Sequence, residues 1–185
     1  MSLKQKIVGL STDKDTVHSY LETYESLFRK IKLSAKAILE IGIYEGGSIR
    51  LWKEYFSNAR IYGVDITTKL FNLQQLDSSN IHLMNENAYT LEFVQYLKDR
   101  NYKFDVIIDD GPHTLESMTF IAKHYPSLLT KNGILIIEDI QFISWVDTII
   151  PAFPEEMQEY LRVIDLRTVK HRYDDVLIVL NLDIS

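Results

Sequence analysis

Short apolar runs alternate with amphipathic stretches along most of the chain. The apolar runs predict strands at 37–43, 59–66, 81–87, 104–110 and 133–140. Hydrophobic residues spaced three and four apart predict helices at 14–31, 46–56, near 69–77, 90–100 and 115–129. Runs this apolar, separated by helices, indicate a parallel sheet that is covered by helices on both faces.

The last part of the chain follows a different pattern. Two apolar runs, at 160–169 and 175–183, are separated by a connection that is too short for a parallel crossover. They predict an antiparallel hairpin. The sequence therefore predicts an α/β, doubly wound sheet that is mostly parallel and has one reversed strand. Ligands of such sheets bind outside the carboxyl ends of the strands.

Composition narrows the function classes. With 185 residues, of which 46% are hydrophobic, the chain is expected to form a single domain, with an N-terminal helical segment at 1–35 and a core at 36–185. The net charge of −6 disfavours duplex nucleic acid and anionic membranes as partners and favours a small molecule. There are no cysteines, so thiolate metal sites are excluded. The apolar runs are too short for a membrane span, which predicts a cytoplasmic protein.

The first strand ends in a glycine-rich turn. Its glycines have the spacing GxxxGG from Gly42, whereas dinucleotide-binding sites use GxGxxG, so a nicotinamide oxidoreductase is the least favoured class. Glu40 just before this turn would repel phosphate but attract an amino group or a positive charge. S-adenosylmethionine carries both. An ordinary strand-to-helix turn would also explain the glycines taken alone.

The ends of the next two strands are also polar. Asp65 follows an apolar run, where a carboxylate can accept hydrogen bonds from two ribose hydroxyls. A helix N-cap explains Asp65 equally well. Glu86 and Asn87 follow the third strand and suit an adenine edge, or a plain turn. Only the series of strand ends favours a nucleoside-containing cofactor.

Four acidic residues follow the two most apolar strands. Asp109 and Asp110 end one strand, and Glu138 and Asp139 end the other. If these strands are neighbours, their ends lie about 5 Å apart. Gathered carboxylates repel one another unless a cation or protons intervene, and hard oxygen ligands suit Mg²⁺. An Asp cap with a Gly-Pro turn is the alternative for residues 109–113 alone.

Several segments together resemble a known family. LEIGIYEGGSIRLW, IYGVDI, DVIIDDGPHTLES and GILIIEDIQ are similar to class I S-adenosylmethionine-dependent methyltransferases. More narrowly, they resemble the magnesium-dependent sugar O-methyltransferases of macrolide biosynthesis, the mycinamicin and macrocin type. The resemblance spans roughly residues 37–141 and implies a seven-stranded, Rossmann-like methyltransferase sheet.

The resemblance also implies a role for each candidate residue. It places the methionine end of the cofactor at Glu40, Gly42, Gly46 and Ser48, the ribose at Asp65, the adenine at Glu86 and Asn87, and the reacting centre beside Asp109. It implies His113 as the general base and a metal site made by Asp110, Glu138 and Asp139. The family often has GDQ-like residues where this chain has NEN, so the adenine contacts depart from the pattern.

The expected activity is methylation of a hydroxyl on a sugar or another vicinal diol, including a catechol. Mg²⁺ would chelate two hydroxyls, and His113 would remove a proton before the oxygen attacks the sulfonium methyl. Two alternatives stay open: a cephalosporin hydroxylase-like enzyme of different chemistry, and a non-catalytic module that binds S-adenosylmethionine. Apolar helices at both ends of the chain are compatible with a homodimer.

Overall fold

The computed structural model of the chain describes residues 2–67 and 80–183. The helix predicted near 69–77 lies outside the described residues. The strands are β1 (Ala37–Ile41), β2 (Arg60–Asp65), β3 (Ile81–Asn85), β4 (Phe104–Asp109), β5 (Leu129–Ile137), β6 (Leu161–Asp165) and β7 (Val176–Asn181). The helices are α1 (Leu3–Lys6), α2 (Asp13–Thr16), α3 (Leu21–Phe28), α4 (Gly47–Tyr55), α5 (Leu91–Asp99), α6 (Leu115–His124), α7 (Val146–Ile149) and α8 (Arg167–Lys170).

The strands form one seven-stranded sheet in the order β3-β2-β1-β4-β5-β7-β6. Strands β1 to β5 pair in parallel, and β7 pairs antiparallel with both β5 and β6. The predicted fold class, with its reversed strand and terminal hairpin, is thereby confirmed. Asp109 pairs with Ile137 across β4 and β5, so the two acidic strand ends lie side by side as expected.

Helices cover both faces of the sheet, and each face has its own hydrophobic core. One core, around Tyr24, Phe28 and Trp52, joins the N-terminal helices and α4 to the sheet. The other core, around Phe93, Ile121 and Tyr125, joins α5 and α6 to the opposite face. Both faces of the central strands are therefore buried, which explains why their sequences are almost continuously apolar.

The prediction of one continuous helix over 14–31 is wrong. Helix α2 ends at Thr16, and α3 begins only at Leu21. Residues 17–20 leave the helical path, and the side chains of His18 and Tyr20 are buried against acidic residues from distant parts of the chain. These tertiary contacts override the three- and four-residue periodicity.

Two further boundaries differ from the prediction. Helix α6 ends at His124, and a 3₁₀ turn begins at Pro126, because proline cannot continue the hydrogen-bond ladder of the helix. Strand β6 ends at Asp165, whose carboxylate accepts a hydrogen bond from the backbone N–H of Arg167 and starts α8. None of the helices within residues 2–67 and 80–183 is long and apolar enough to cross a membrane.

Candidate active site

A cavity of about 1140 Å³ lies at the carboxyl ends of β1, β2, β3 and β4. Its volume is that of a large ligand site. The candidate residues that line it are Gly42, Ser48, Asp65, Glu86, Asn87, Asp110 and His113. Glu40, Gly46, Asp109, Glu138 and Asp139 lie outside this lining. The sequence therefore predicted the position of the cavity, while several of the named side chains stand behind its wall.

The turn after β1 depends on Gly42. Its φ is +86°, and a Cβ at this position would lie 1.9 Å from the carbonyl oxygen of Asp110. Only glycine allows the turn to pack against the end of β4 in this way. The turn leads into α4, whose first residues Gly47 and Ser48 line the cavity.

Replacing Gly42 by alanine is expected to lower the free energy of unfolding by roughly 3 kcal/mol or more, because left-handed strain adds to the clash with Asp110. Gly9→Ala is the matched control, since Gly9 has a φ of +83° but open space around its Cβ position. That control should lose only about 1 kcal/mol. Urea denaturation measures both, and equal losses would show that the contact between Gly42 and Asp110 is unimportant.

Glu40 is fully buried behind the glycine turn. It accepts a hydrogen bond of 2.7 Å from Ser48 Oγ, and its other oxygen lies 3.6 Å from Lys14 Nζ. Burial raises the pKa of Glu40 to about 7, although the charge of Lys14 acts in the opposite direction. Through Ser48, Glu40 fixes the start of α4 at the cavity.

The raised pKa of Glu40 predicts a pH-dependent stability. Because the folded protein holds the proton more tightly than the unfolded chain, this contribution is present at low pH and is lost as the pH rises from 4.5 to about 7. Glu40→Gln should reduce the loss of stability between pH 5 and 8 by up to roughly 3 kcal/mol. Glu45→Gln, at an exposed position of the same turn, is the control. Parallel pH profiles of the wild type and Glu40→Gln would contradict the assignment.

Asp65 lies at the end of β2, and its carboxylate holds the glycine turn. Its Oδ2 accepts hydrogen bonds from the N–H groups of Ile43 at 2.8 Å and Tyr44 at 3.2 Å. Its Oδ1 accepts one from the N–H of Thr67 at 2.8 Å. Asp65 thus joins the ends of β1 and β2 on the wall of the cavity, the position at which a ribose was expected.

Asp109 is buried at the end of β4 and accepts a hydrogen bond from the hydroxyl of Tyr89. Burial raises the pKa of Asp109 to about 7, and the Tyr89 hydrogen bond partly opposes this. Gly111 leaves room for this contact, since a Cβ there would lie 1.8 Å from the Tyr89 hydroxyl. Asp109 therefore lies under the cavity floor, behind Tyr89, which lines the cavity.

Asp110, His113 and Asp139 face one another at the edge of the cavity. His113 Nε2 lies 3.7 Å from Asp110 Oδ1 and 3.6 Å from Asp139 Oδ2. One ligand atom from each of the three residues falls within 4.8 Å of the others, a spacing that could hold a metal ion. We call these three residues the outer group.

The backbone at the outer group is strained. His113 has a φ of +51° and Asp139 a φ of +56°, values that non-glycine residues seldom adopt. Such conformations persist where the surrounding structure enforces them, and they cluster at functional sites. In the outer group they direct both side chains toward Asp110.

The structure separates Glu138 from the outer group. Both carboxylate oxygens of Glu138 lie 2.8 Å from Lys14 Nζ, and Oε1 also accepts a hydrogen bond from the Tyr24 hydroxyl. Lys14 Nζ donates to Asp110 Oδ2 as well, at 2.7 Å. The three acids that the resemblance implied as one metal site are close together, but the protein's own ammonium group occupies the space between Asp110 and Glu138.

The residues that sequence reasoning missed come from the N-terminal segment. Lys14, Tyr20 and Tyr24 donate hydrogen bonds to Asp110, Asp139 and Glu138. The periodicity assigned the two tyrosines to an ordinary apolar helix face, and Lys14 stood out in no pattern. The sequence signal for these contacts is that Tyr20 and Tyr24 carry hydroxyl groups on the helix face that was expected to be buried.

His18 is a buried residue of the N-terminal segment. Its Nδ1 lies 2.6 Å from Asp175 Oδ1 and 3.3 Å from Asp139 Oδ1. Although His18, Asp174 and Asp175 also have ligand atoms at metal-like spacing, a distance of 2.6 Å is that of a direct hydrogen bond. His18 therefore links Asp139 to the buried start of β7.

Comparison with known protein families finds a match that includes the residues of the candidate site. The family model of the methyltransferase domain matches residues 39–140, from within β1 to just past the outer group. The matched stretch contains the glycine turn, Asp65, His113 and all the candidate acidic residues. The predicted resemblance to methyltransferases is confirmed.

Two curated relatives carry the names of O-methyltransferases. The chain is 31% identical over 150 residues to the 8-demethyl-8-alpha-L-rhamnosyl tetracenomycin-C 2'-O-methyltransferase of Streptomyces olivaceus, which covers 77% of this chain and 37% of that protein. It is 30% identical over 137 residues to the mycinamicin VI 2''-O-methyltransferase of Micromonospora griseorubida, covering 70% and 33%. The chain thus spans about a third of the length of these relatives.

A solved structure supports the fold. The MycE methyltransferase from the mycinamycin biosynthetic pathway, in complex with Mg and SAH, matches with a TM-score of 0.72. The match covers 100% of this chain and 56% of that chain at 24% sequence identity. At that identity the likeness establishes a shared sheet architecture.

Proposed function

The chain belongs to the family of the methyltransferase domain, and on that premise we propose that it transfers a methyl group from S-adenosylmethionine to a hydroxyl of a sugar or another vicinal diol. The observation that carries the proposal is the juxtaposition of the cavity of about 1140 Å³ with the outer group, which stands at the cavity edge. One wall suits the methyl donor, and the other presents a base and two carboxylates to an acceptor.

The cavity residues fit the methyl donor. Gly42 and Ser48 bring the backbone and the start of α4 to the wall, while Asp65 offers a carboxylate at the end of the neighbouring strand. Glu86 and Asn87 follow β3 at the far side of the cavity. We assign the methionine end to the turn backed by Glu40 and Gly46, the ribose to Asp65, and the adenine to Glu86 and Asn87. Bound there, the cofactor supplies an activated methyl group on sulfur.

The carboxylate cluster fits a divalent ion of the Mg²⁺ type. Asp110 and Asp139 offer hard oxygen ligands. The carboxylate cluster carries negative charge because several buried acidic residues lie close together. Burial raises the pKa of Asp139, against the attraction of His18. We propose that Asp110 and Asp139 hold the ion, while Glu138, which is bonded to Lys14, lies beside them. A divalent ion there would orient vicinal hydroxyls and make them more acidic.

His113 is the proposed general base. It is partly exposed at the cavity edge, so its imidazole can reach a hydroxyl of an acceptor that enters from solvent. The flanking carboxylates of Asp110 and Asp139 would stabilise the imidazolium that forms when His113 Nε2 takes the proton. Asp109, which accepts a hydrogen bond from Tyr89 below the cavity floor, would hold the methyl donor in a fixed position relative to the outer group. Positioning contributes most of the remaining rate, because the methyl donor is already activated.

A methyl-transfer assay tests the proposal. The protein is incubated with isotopically labelled S-adenosylmethionine, Mg²⁺ and a panel of glycosides with free vicinal hydroxyls, together with a catechol, and products are separated by mass. The proposal predicts a mass gain of one methyl group on at least one diol. Cofactor binding with no methylated product from any acceptor would favour the non-catalytic module, and an oxidised product would favour the hydroxylase-like alternative. A cytoplasmic location and a small-molecule acceptor are part of the same proposal.

A further inference from the structure

Lys14 is a buried cation inside the carboxylate cluster. Its side chain is 1% exposed, and its ammonium group contacts Asp110, Glu138 and Glu40 at 2.7, 2.8 and 3.6 Å. A buried charge is tolerated only when it is paired, and these three carboxylates surround the ammonium group within 3.6 Å.

The N-terminal segment is built to hold Lys14 in this place. The carbonyl oxygen of Ser11 packs so closely on Gly47 that a Cβ there would lie 1.7 Å away. Helix α2 begins two residues later and carries Lys14. Beyond it, Tyr20 and Tyr24 donate hydrogen bonds to Asp139 and Glu138. The same segment thus contacts the first turn of α4 and the acids at the end of β5.

The oxygens of the cluster divide between two positions. Asp110 directs Oδ2 to Lys14 and Oδ1 toward His113. Asp139 directs Oδ1 to Tyr20 and Oδ2 toward His113. Glu138 directs both oxygens to Lys14. The inner position, between Glu40, Asp110 and Glu138, holds the ammonium group, and the outer group faces the cavity edge.

We propose that the Lys14 ammonium is a resident cation that occupies the inner position and limits the cluster to one exogenous divalent ion, held by Asp110 and Asp139 of the outer group. Lys14 is then a positioning residue, which acts through Asp110 and Glu138 and has no contact with the acceptor. The inference rests on the proposed function, because it takes the outer group as the place of the ion. It adds that the chain itself supplies part of the positive charge that the acids need.

Removing the Lys14 ammonium would change the electrostatics of the carboxylate cluster. Without Lys14, the carboxylates of Glu40, Asp110 and Glu138 would lose a neutralising charge at distances of 2.7 to 3.6 Å. Their mutual repulsion would rise, and so would their attraction for a divalent cation. Glu138 would also become available as a ligand.

Counting bound Mn²⁺ by electron paramagnetic resonance and calorimetry, with chelator-stripped protein, tests the proposal. The wild type is expected to bind one ion. Lys14→Met is expected to bind a second ion, or to bind the first at least ten times more tightly, and its melting temperature should rise more on adding Mn²⁺ than that of the wild type. Lys6→Met is the control, since Lys6 pairs with Glu54 at 3.4 Å outside the cluster and the change in net charge is the same.

The design does not depend on a single variant. If Lys14→Met does not fold without metal, Lys14→Gln is used in its place, because glutamine keeps a polar group in the inner position. The number of ions bound by the wild type tests the proposal without any variant. Two ions in the wild type, or none, would overturn the proposal. So would unchanged or weaker binding in the Lys14 variants. Because the readout is metal binding, methyl transfer measured on the wild type decides the proposed function separately.

Discussion

Replacing His113 by alanine is expected to lower kcat by roughly 10²–10⁴-fold, the usual contribution of a positioned general base. The imidazole stands 3.6 to 3.7 Å from carboxylate oxygens of Asp110 and Asp139, whose charge favours the protonated product of the transfer. The affinity for S-adenosylmethionine should stay nearly unchanged, because the cofactor walls are built by other residues. Steady-state kinetics with a methylated product, combined with calorimetric cofactor titration, measures both quantities.

His82→Ala is the matched control for this experiment. His82 is an exposed histidine on β3 that stacks on Tyr62, and its removal should leave kcat within a factor of two or so. Persistent turnover of His113→Ala at the wild-type rate would show that another group removes the proton. A parallel loss of cofactor affinity would instead show that His113 holds the cavity together.

Stripping divalent ions with a chelator is expected to reduce turnover roughly a hundredfold or more while cofactor binding persists. The acids at the end of β4 and β5 converge so closely that an ion placed among them would be held by Asp110 and Asp139 and would meet an acceptor at the cavity edge. Adding Mg²⁺ back should restore the rate. The measurement is methyl transfer before chelation, after chelation and after restoration.

Asp110→Asn should reproduce the effect of the chelator, since it removes the charge that the outer group and the inner position share. Asp147→Asn, at an exposed position on α7, is the control for the loss of one carboxylate. Full turnover in the presence of chelator would rule out a metal-dependent reaction and leave His113 as the sole activating group.

The strands of the sheet could be predicted because each one is marked by a hydrophobic pattern within a short stretch of sequence. Each parallel strand contains apolar residues in a short run, and Asp65 and Asp109 are the last residues of β2 and β4. The adjacency of the ends of β4 and β5 was the condition for the expected acidic cluster, and the pairing of Asp109 with Ile137 confirms it. The connection after β5 has no regular hydrophobic periodicity, so its short helical turns could not be predicted from the sequence.

The inner position could not be predicted, because its contacts join distant parts of the chain. Lys14 bonds with Asp110 and Glu138, which lie 96 and 124 residues away. After α2 ends at Thr16, His18 and Tyr20 contact Asp175 and Asp139, and helical periodicity does not predict contacts of this kind. In the same way, no sequence pattern indicated that Glu40 accepts a hydrogen bond from Ser48 and lies 3.6 Å from Lys14. The roles of the individual site residues stay predictions until they are tested.

Calorimetric titration of S-adenosylmethionine into the wild-type protein, with Mg²⁺ present, tests the central claim most directly. The cavity at the ends of β1 to β4 predicts saturable binding at one site, and weaker binding after Asp65→Ala removes the carboxylate from its wall. Saturable binding would tie this cavity to the methyl donor. An absence of binding at millimolar cofactor would contradict the assignment of the cavity, and with it the proposed methyl transfer.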